Sequence, residues 1–153
     1  MANTFSQIHI HVVFATQFRN ALIAEKWEQR LYEYLIAIIH NQGHKVLAIN
    51  GMSDHVHLLL GFRPNQALSE LVQQAKASSS KWINEERLCT QKFAWQEGYG
   101  AFSYTKSDIP KVTHYIQNQK NRHQKVGFLE EYKHMLTSLD IEFDPKYIFQ
   151  EPA

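Results

Sequence analysis

The chain has 153 residues, 44% hydrophobic and 20% charged, with a formal net charge of +1. That length suits one domain around one core. The composition excludes a bilayer-spanning helix, since no apolar run reaches the roughly 20 residues required. It also excludes an intrachain disulfide and a four-cysteine zinc site, because Cys89 is the single cysteine. Residues 1–7 lack the basic and apolar regions of a signal peptide, so a cytoplasmic protein is expected. Near-neutral charge gives no general affinity for nucleic acid, and any footprint on DNA must come from local clusters of Lys and Arg.

In chain order, residues 8–15 (IHIHVVFA) are rich in β-branched side chains and predict a strand. Residues 17–20 form a polar turn. From 24 to 41, Trp27, Leu31, Tyr34, Leu35, Ile38 and Ile39 recur at helical spacing, and Gly43 ends that helix. Residues 45–50 predict a second strand, 51–54 a turn, and 55–60 (HVHLLL) a third strand paired with the second as a hairpin. A second long helix is predicted over 67–87, with Leu68, Leu71, Val72, Ala75, Ser79 and Trp82 or Ile83 facing inward. Residues 93–100 read as an ordered loop and 101–105 as a fourth strand. Ser107 and Asp108 open a third helix over 109–123, with Pro110 tolerated in its first turn. A short helix over 128–136 follows. The chain is read as a single domain over 1–153. Residues 140–153 form a C-terminal extension whose Phe143, Tyr147 and Phe149 dock on the body or on a partner chain. The order βαββαβ predicts an α+β fold: a ferredoxin-like or RRM-like antiparallel sheet with two helices on one face and an added C-terminal helix. Such a fold hosts many functions.

His55 and His57 stand two apart on a predicted strand, so their side chains share a face while Val56 points into the core. Two neutral imidazoles side by side can hold a divalent cation when a third ligand arrives from elsewhere. His9 and His11 have the same spacing on the first strand and compete for that role; two exposed histidines on a sheet face are the plain alternative. On the third helix Tyr115 and Gln119 lie four apart on one face, while Ile109, Val112 and Ile116 make a separate stripe toward the core. Tyr115 is therefore expected outward and reactive. No G-x-x-x-x-G-K-[ST] loop is present, so no nucleotide cofactor is expected.

The run Met52-Ser53-Asp54-His55-Val56-His57-Leu58-Leu59-Leu60 resembles the HUH signature of single-tyrosine transposases. These form the insertion-sequence 200/605 family, to which the REP-associated tyrosine transposases are related. Residues 11–16 with Arg19 resemble the family's first strand, 93–103 its loop before the fourth strand, and 115–119 its nucleophile helix. The resemblance implies a metal-dependent enzyme that cleaves and rejoins single-stranded DNA at element ends through a 5′-phosphotyrosine intermediate. It assigns Tyr115 as nucleophile and His55, His57 and Gln119 as ligands of Mg²⁺ or Mn²⁺, and it favours the His55–His57 pair over His9–His11. It further implies a homodimer, associated with the nucleoid, acting on single-stranded DNA with hairpin ends. The loop 98–100 and the segment 120–127 are where helices would exchange between partners. Arg19, Lys76, Lys81, Lys106, Lys111, Lys120 and Arg122 are the expected contacts to nucleic acid, with Trp95, Tyr99 and Phe102 as stacking platforms, although Trp95 suits the core edge better. The alternative is a domesticated or non-catalytic relative that binds single-stranded DNA or RNA with the same fold.

Overall fold

Strict alternation in β1 (His9–Ala15) sends Ile10, Val12 and Phe14 to one face of a sheet and His11, Val13 and Ala15 to the other. The structure is a computed structural model that describes residues 5–122 and 127–138. The strands β2 (Lys45–Met52), β3 (His55–Gly61) and β4 (Gly100–Tyr104) join β1 in one antiparallel sheet of order β2-β3-β1-β4. β1 is central, so residues distant in sequence meet across it: Val13 lies opposite both His57 and Gly100.

The helices α1 (Glu25–Asn41) and α2 (Leu68–Glu85) cover one face. Trp27, Leu31, Leu35 and Ile39 of α1 meet Leu71, Val72, Ala75 and Ile83 of α2 over Phe14, Val56, Leu58 and Leu60. Trp95 closes this core edgewise on Phe14 and Phe93, and its indole N–H donates to Ser79 Oγ at 2.9 Å. Trp95 thus belongs to the core. Phe102, expected as a stacking platform, is also buried, under the last helix. Tyr99 packs partly buried against the α1–α2 core.

The other face is covered as well. The helices α3 (Ile109–Gln117) and α5 (Phe128–Ser138) lie on it. Val112 and Ile116 of α3 pack on Ala48 and Leu59; Phe128, Tyr132 and Leu136 of α5 pack on Val13, Ala15 and Phe102. The predicted third helix is interrupted at Asn118, and residues 119–122 form a separate turn, α4 (Gln119–Arg122). The reason is local. Asn50 Nδ2 donates to the Gln117 carbonyl at 3.0 Å, which ties off the helix end. Lys120 Nζ meanwhile reaches Glu28, Asn50 Oδ1 and the Gly51 carbonyl. His123 and the expected tail 140–153 lie outside the described residues. No described helix is long and apolar enough to cross a membrane.

Candidate active site

β3 places His55 and His57 on the α3–α5 face, as their spacing predicts, and both are fully buried. Burial rather than exposure is the correction here, and it follows from the two covering helices. Four donor atoms converge between β3, α4 and α5. His55 Nε2 lies 3.2 Å from Gln119 Oε1, and His57 Nε2 lies 3.3 Å from Glu131 Oε1. Glu131 Oε1 is also 3.8 Å from His55 Nε2. One ligand atom each from His55, His57 and Glu131 falls within a 4.8 Å span. Two ligands of one ion at about 2.1 Å stand about 3 to 3.5 Å apart, so this set matches the size of a single cation site.

Glu131 uses its second oxygen on the tyrosine. The Tyr115 hydroxyl donates to Glu131 Oε2, and Gln119 Nε2 donates to the same oxygen at 3.2 Å. The rings of Tyr115 and His57 sit edge to face with centroids 5.8 Å apart. Tyr115 is only partly buried, but its hydroxyl points inward to the cluster, not out to solvent. The tyrosine and both histidines belong to the same chain.

The hydrogen bonds around the cluster favour a positive charge at its centre. Asp54 Oδ1 lies 2.7 Å from His55 Nδ1, so the carboxylate holds a proton on that nitrogen and turns Nε2 toward the Gln119 side-chain amide. A buried carboxylate such as Glu131 costs several kcal/mol unless positive charge meets it. Imidazole nitrogen, amide oxygen and carboxylate oxygen together suit Mn²⁺ or Mg²⁺.

Sequence reasoning missed Glu131 and Asp54. Glu131 had a signal: it falls between Phe128 and Tyr132 and four residues before Met135, on the apolar stripe of a short helix, where a carboxylate has no packing reason to be. His9 and His11 do not form a site of their own. His9 pairs with Gly61 and Tyr104, two residues further from β3's histidines, whereas His11 Nε2 lies 2.8 Å from His57 Nδ1. Burial and the neighbouring His57 hold the His11 imidazole well below its usual range, against a smaller opposing effect of Glu131, so it is neutral.

The expected DNA contacts divide in two. Lys106 and Lys111 are exposed at the start of α3, and Lys81 is exposed beside Glu85 at 3.9 Å. Arg19 lies in the turn Gln17–Arg19, where Phe18 and Arg19 both adopt positive φ. Backbone bonds from Thr16 to Asp54 and from Ile23 to Ser53 hold this turn beside the His55 end of the sheet. By contrast, Lys76 Nζ donates to the carbonyls of Gln96 (2.6 Å) and Gly98 (2.7 Å), and burial lowers its pKa to about 8. Lys120 is bound as described above. The side chain of Arg122 lies outside the described residues. A groove of about 600 Å³ runs between α2 and residues 92–99, on the sheet face away from the histidines; convergent donors rather than cavity size mark the candidate site.

Residues 4–119 match the family described as Transposase IS200 like, and the chain belongs to that family. It is 23% identical over 121 residues to the ISDra2 transposase TnpA of Deinococcus radiodurans, covering 76% of this chain and 86% of that protein. The fold is similar to the crystal structure of a putative transposase from Deinococcus radiodurans R1, with a TM-score of 0.63, 22% identity, and coverage of 78% of this chain and 95% of that one. It is also similar to a REP-associated tyrosine transposase bound to a REP hairpin, with a TM-score of 0.62, 13% identity, and coverage of 100% and 97%. The protein is accordingly a transposase.

Proposed function

We propose that this transposase cleaves and rejoins single-stranded DNA through a covalent bond to Tyr115, using a divalent cation held by His55, His57, Gln119 and Glu131. The observation that carries this reading is the Glu131 carboxylate. One oxygen lies among the imidazole nitrogens and the other accepts the hydrogen bond of the Tyr115 hydroxyl. A phenol with a pKa of about 10 is a weak nucleophile at neutral pH until its proton has somewhere to go. Glu131 Oε2 is placed to take it. The Tyr115 oxygen then bonds to phosphorus, the bond from phosphorus to the 3′ oxygen breaks, and that oxygen takes a proton from water to leave as a 3′ hydroxyl. The 5′-phosphotyrosine keeps the energy of the diester, so rejoining needs no nucleotide. A bound Mg²⁺ or Mn²⁺ supplies Lewis-acid polarisation of the phosphate.

The substrate proposed is single-stranded DNA beside a hairpin, by analogy with the hairpin-bound relative. Arg19, Lys81, Lys106, Lys111 and Arg122 would contact phosphates. Lys76 and Lys120 would instead stabilise the loops whose carbonyls they bind. A homodimer in the cytoplasm, at the nucleoid, fits this reading. The test is incubation of the protein with Mn²⁺ and end-labelled hairpin DNA carrying single-stranded flanks. A covalent adduct that disappears in Tyr115→Phe is expected. An adduct that survives this substitution would assign the nucleophile elsewhere, and binding without an adduct across many flank sequences would leave only a DNA-binding protein.

A further inference from the structure

We infer that His11 is a positioning residue for the cation site: its Nε2 accepts the hydrogen bond of the His57 Nδ1–H and so aims the His57 Nε2 lone pair at the place where Glu131 Oε1 waits. This rests on the metal-dependent reading above.

The surroundings of His11 make its polarity conspicuous. It is 1% exposed and lies among Phe102, Tyr104 and Tyr115, with ring centroids 5.9 to 6.2 Å away. A phenylalanine or leucine would fill such a place without the penalty of burying two ring nitrogens. One nitrogen is answered: Nε2 lies 2.8 Å from His57 Nδ1, reached diagonally across the β1–β3 ladder, where Val13 stands directly opposite His57. The other, Nδ1, is buried and has no hydrogen-bond partner.

With both rings neutral the pair has two proton arrangements. In the first, His11 Nε2–H donates to His57 Nδ1, and His57 Nε2–H donates to Glu131 Oε1. The unanswered His11 Nδ1 is then only a lone pair. In the second, His57 Nδ1–H donates to His11 Nε2, which frees the His57 Nε2 lone pair for a cation and moves the His11 proton to Nδ1. An imidazolium at His57 would donate to both His11 Nε2 and Glu131 Oε1, so His11 is the acceptor there too. A cation at His57 selects the second, because a ligand nitrogen cannot carry a proton. In both, the His11 contact holds the His57 ring in the same plane. Outer partners of metal-bound histidines act in this way, and their loss typically weakens binding 10- to 100-fold.

The experiment titrates Mn²⁺ into the full chain by electron paramagnetic resonance, comparing the parent with His11→Phe and His11→Gln. Phenylalanine keeps the ring and removes the acceptor; glutamine ends in an amide that can stand where Nε2 stands. His11→Phe should bind Mn²⁺ about 10- to 100-fold more weakly, and His11→Gln should recover most of that loss. Equal affinity in the parent and His11→Phe, or a His11→Gln as weak as His11→Phe, overturns the role of His11 while leaving the cation site intact. A parent that binds no Mn²⁺ sinks the metal-dependent reading, and this inference with it. Should His11→Phe not fold, nitrogen-15 spectra of the parent decide. With Mg²⁺ bound, His11 Nε2 must be proton-free and hydrogen-bonded to the His57 Nδ1–H, and a proton on His11 Nε2 overturns the role of His11 while leaving the cation site intact.

Discussion

Glu131 is the side chain on which both halves of the site depend, since its two oxygens face different tasks. Glu131→Gln keeps the shape but loses the charge and one acceptor. It should weaken Mn²⁺ binding and slow adduct formation together, each by on the order of 100-fold, whereas Gln119→Ala should mainly weaken Mn²⁺ binding. Mn²⁺ titration and single-turnover kinetics on the two variants separate the roles; equal kinetics for Glu131→Gln and the parent would remove the carboxylate from the chemistry. His11 also bears on acid stability. Its folded-state pKa lies well below the ordinary 6.5. As pH falls through 6.5 the unfolded chain therefore takes up a proton that the folded chain refuses. Stability is lost toward acid by at most about 1.4 kcal/mol per pH unit from this group. Urea denaturation between pH 7.5 and 5 should show a shallower acid loss in His11→Gln than in the parent.

Among the elements, two close approaches hold the site's frame. A Cβ at Gly51 would run into the backbone carbonyl of His55. The β2–β3 hairpin can close as it does only with glycine there, and that closure sets where His55 begins its strand. Gly51→Ala should cost on the order of 2 kcal/mol or more, measurable by urea denaturation. Gly100 on β4 lies under α5: a Cβ there would stand 2.6 Å from the Tyr132 hydroxyl. Gly100 lets α5 sit close to the sheet, and the turn at Gly98 uses positive φ. Gly100→Ala should lift α5, carrying Glu131 away from His57. Faster amide exchange over 128–138 together with weaker Mn²⁺ binding, the α1–α2 face remaining protected, is the expected result.

On the scale of the molecule, the sheet divides the labour. One face carries the larger apolar core with α1 and α2, and the other carries the buried polar cluster between α3 and α5. Tyr115 meets the histidines of its own chain. If the site works as it is folded, mixing Tyr115→Phe with His57→Ala protein should restore no adduct formation, since neither subunit holds both parts. Restored activity would mean that the tyrosine helix serves the partner subunit.

Strand and helix order was legible in the residues alone, because the β-branched run 8–15, the apolar strand 55–60 and the helical spacing over 24–41 and 67–87 are local properties of the chain. So was the placing of His55 and His57 on one face and of Tyr115 and Gln119 one turn apart. The packing of distant elements settles what spacing cannot: this face is roofed, Glu131 of a late helix joins the cluster, His11 lies against His57 and away from His9, and Lys76 and Lys120 turn inward. The reason is physical. Spacing along a strand or helix fixes relative direction within an element, but a ligand brought from another element depends on how faces pack, and Glu131 lies 74 residues from His57 along the chain.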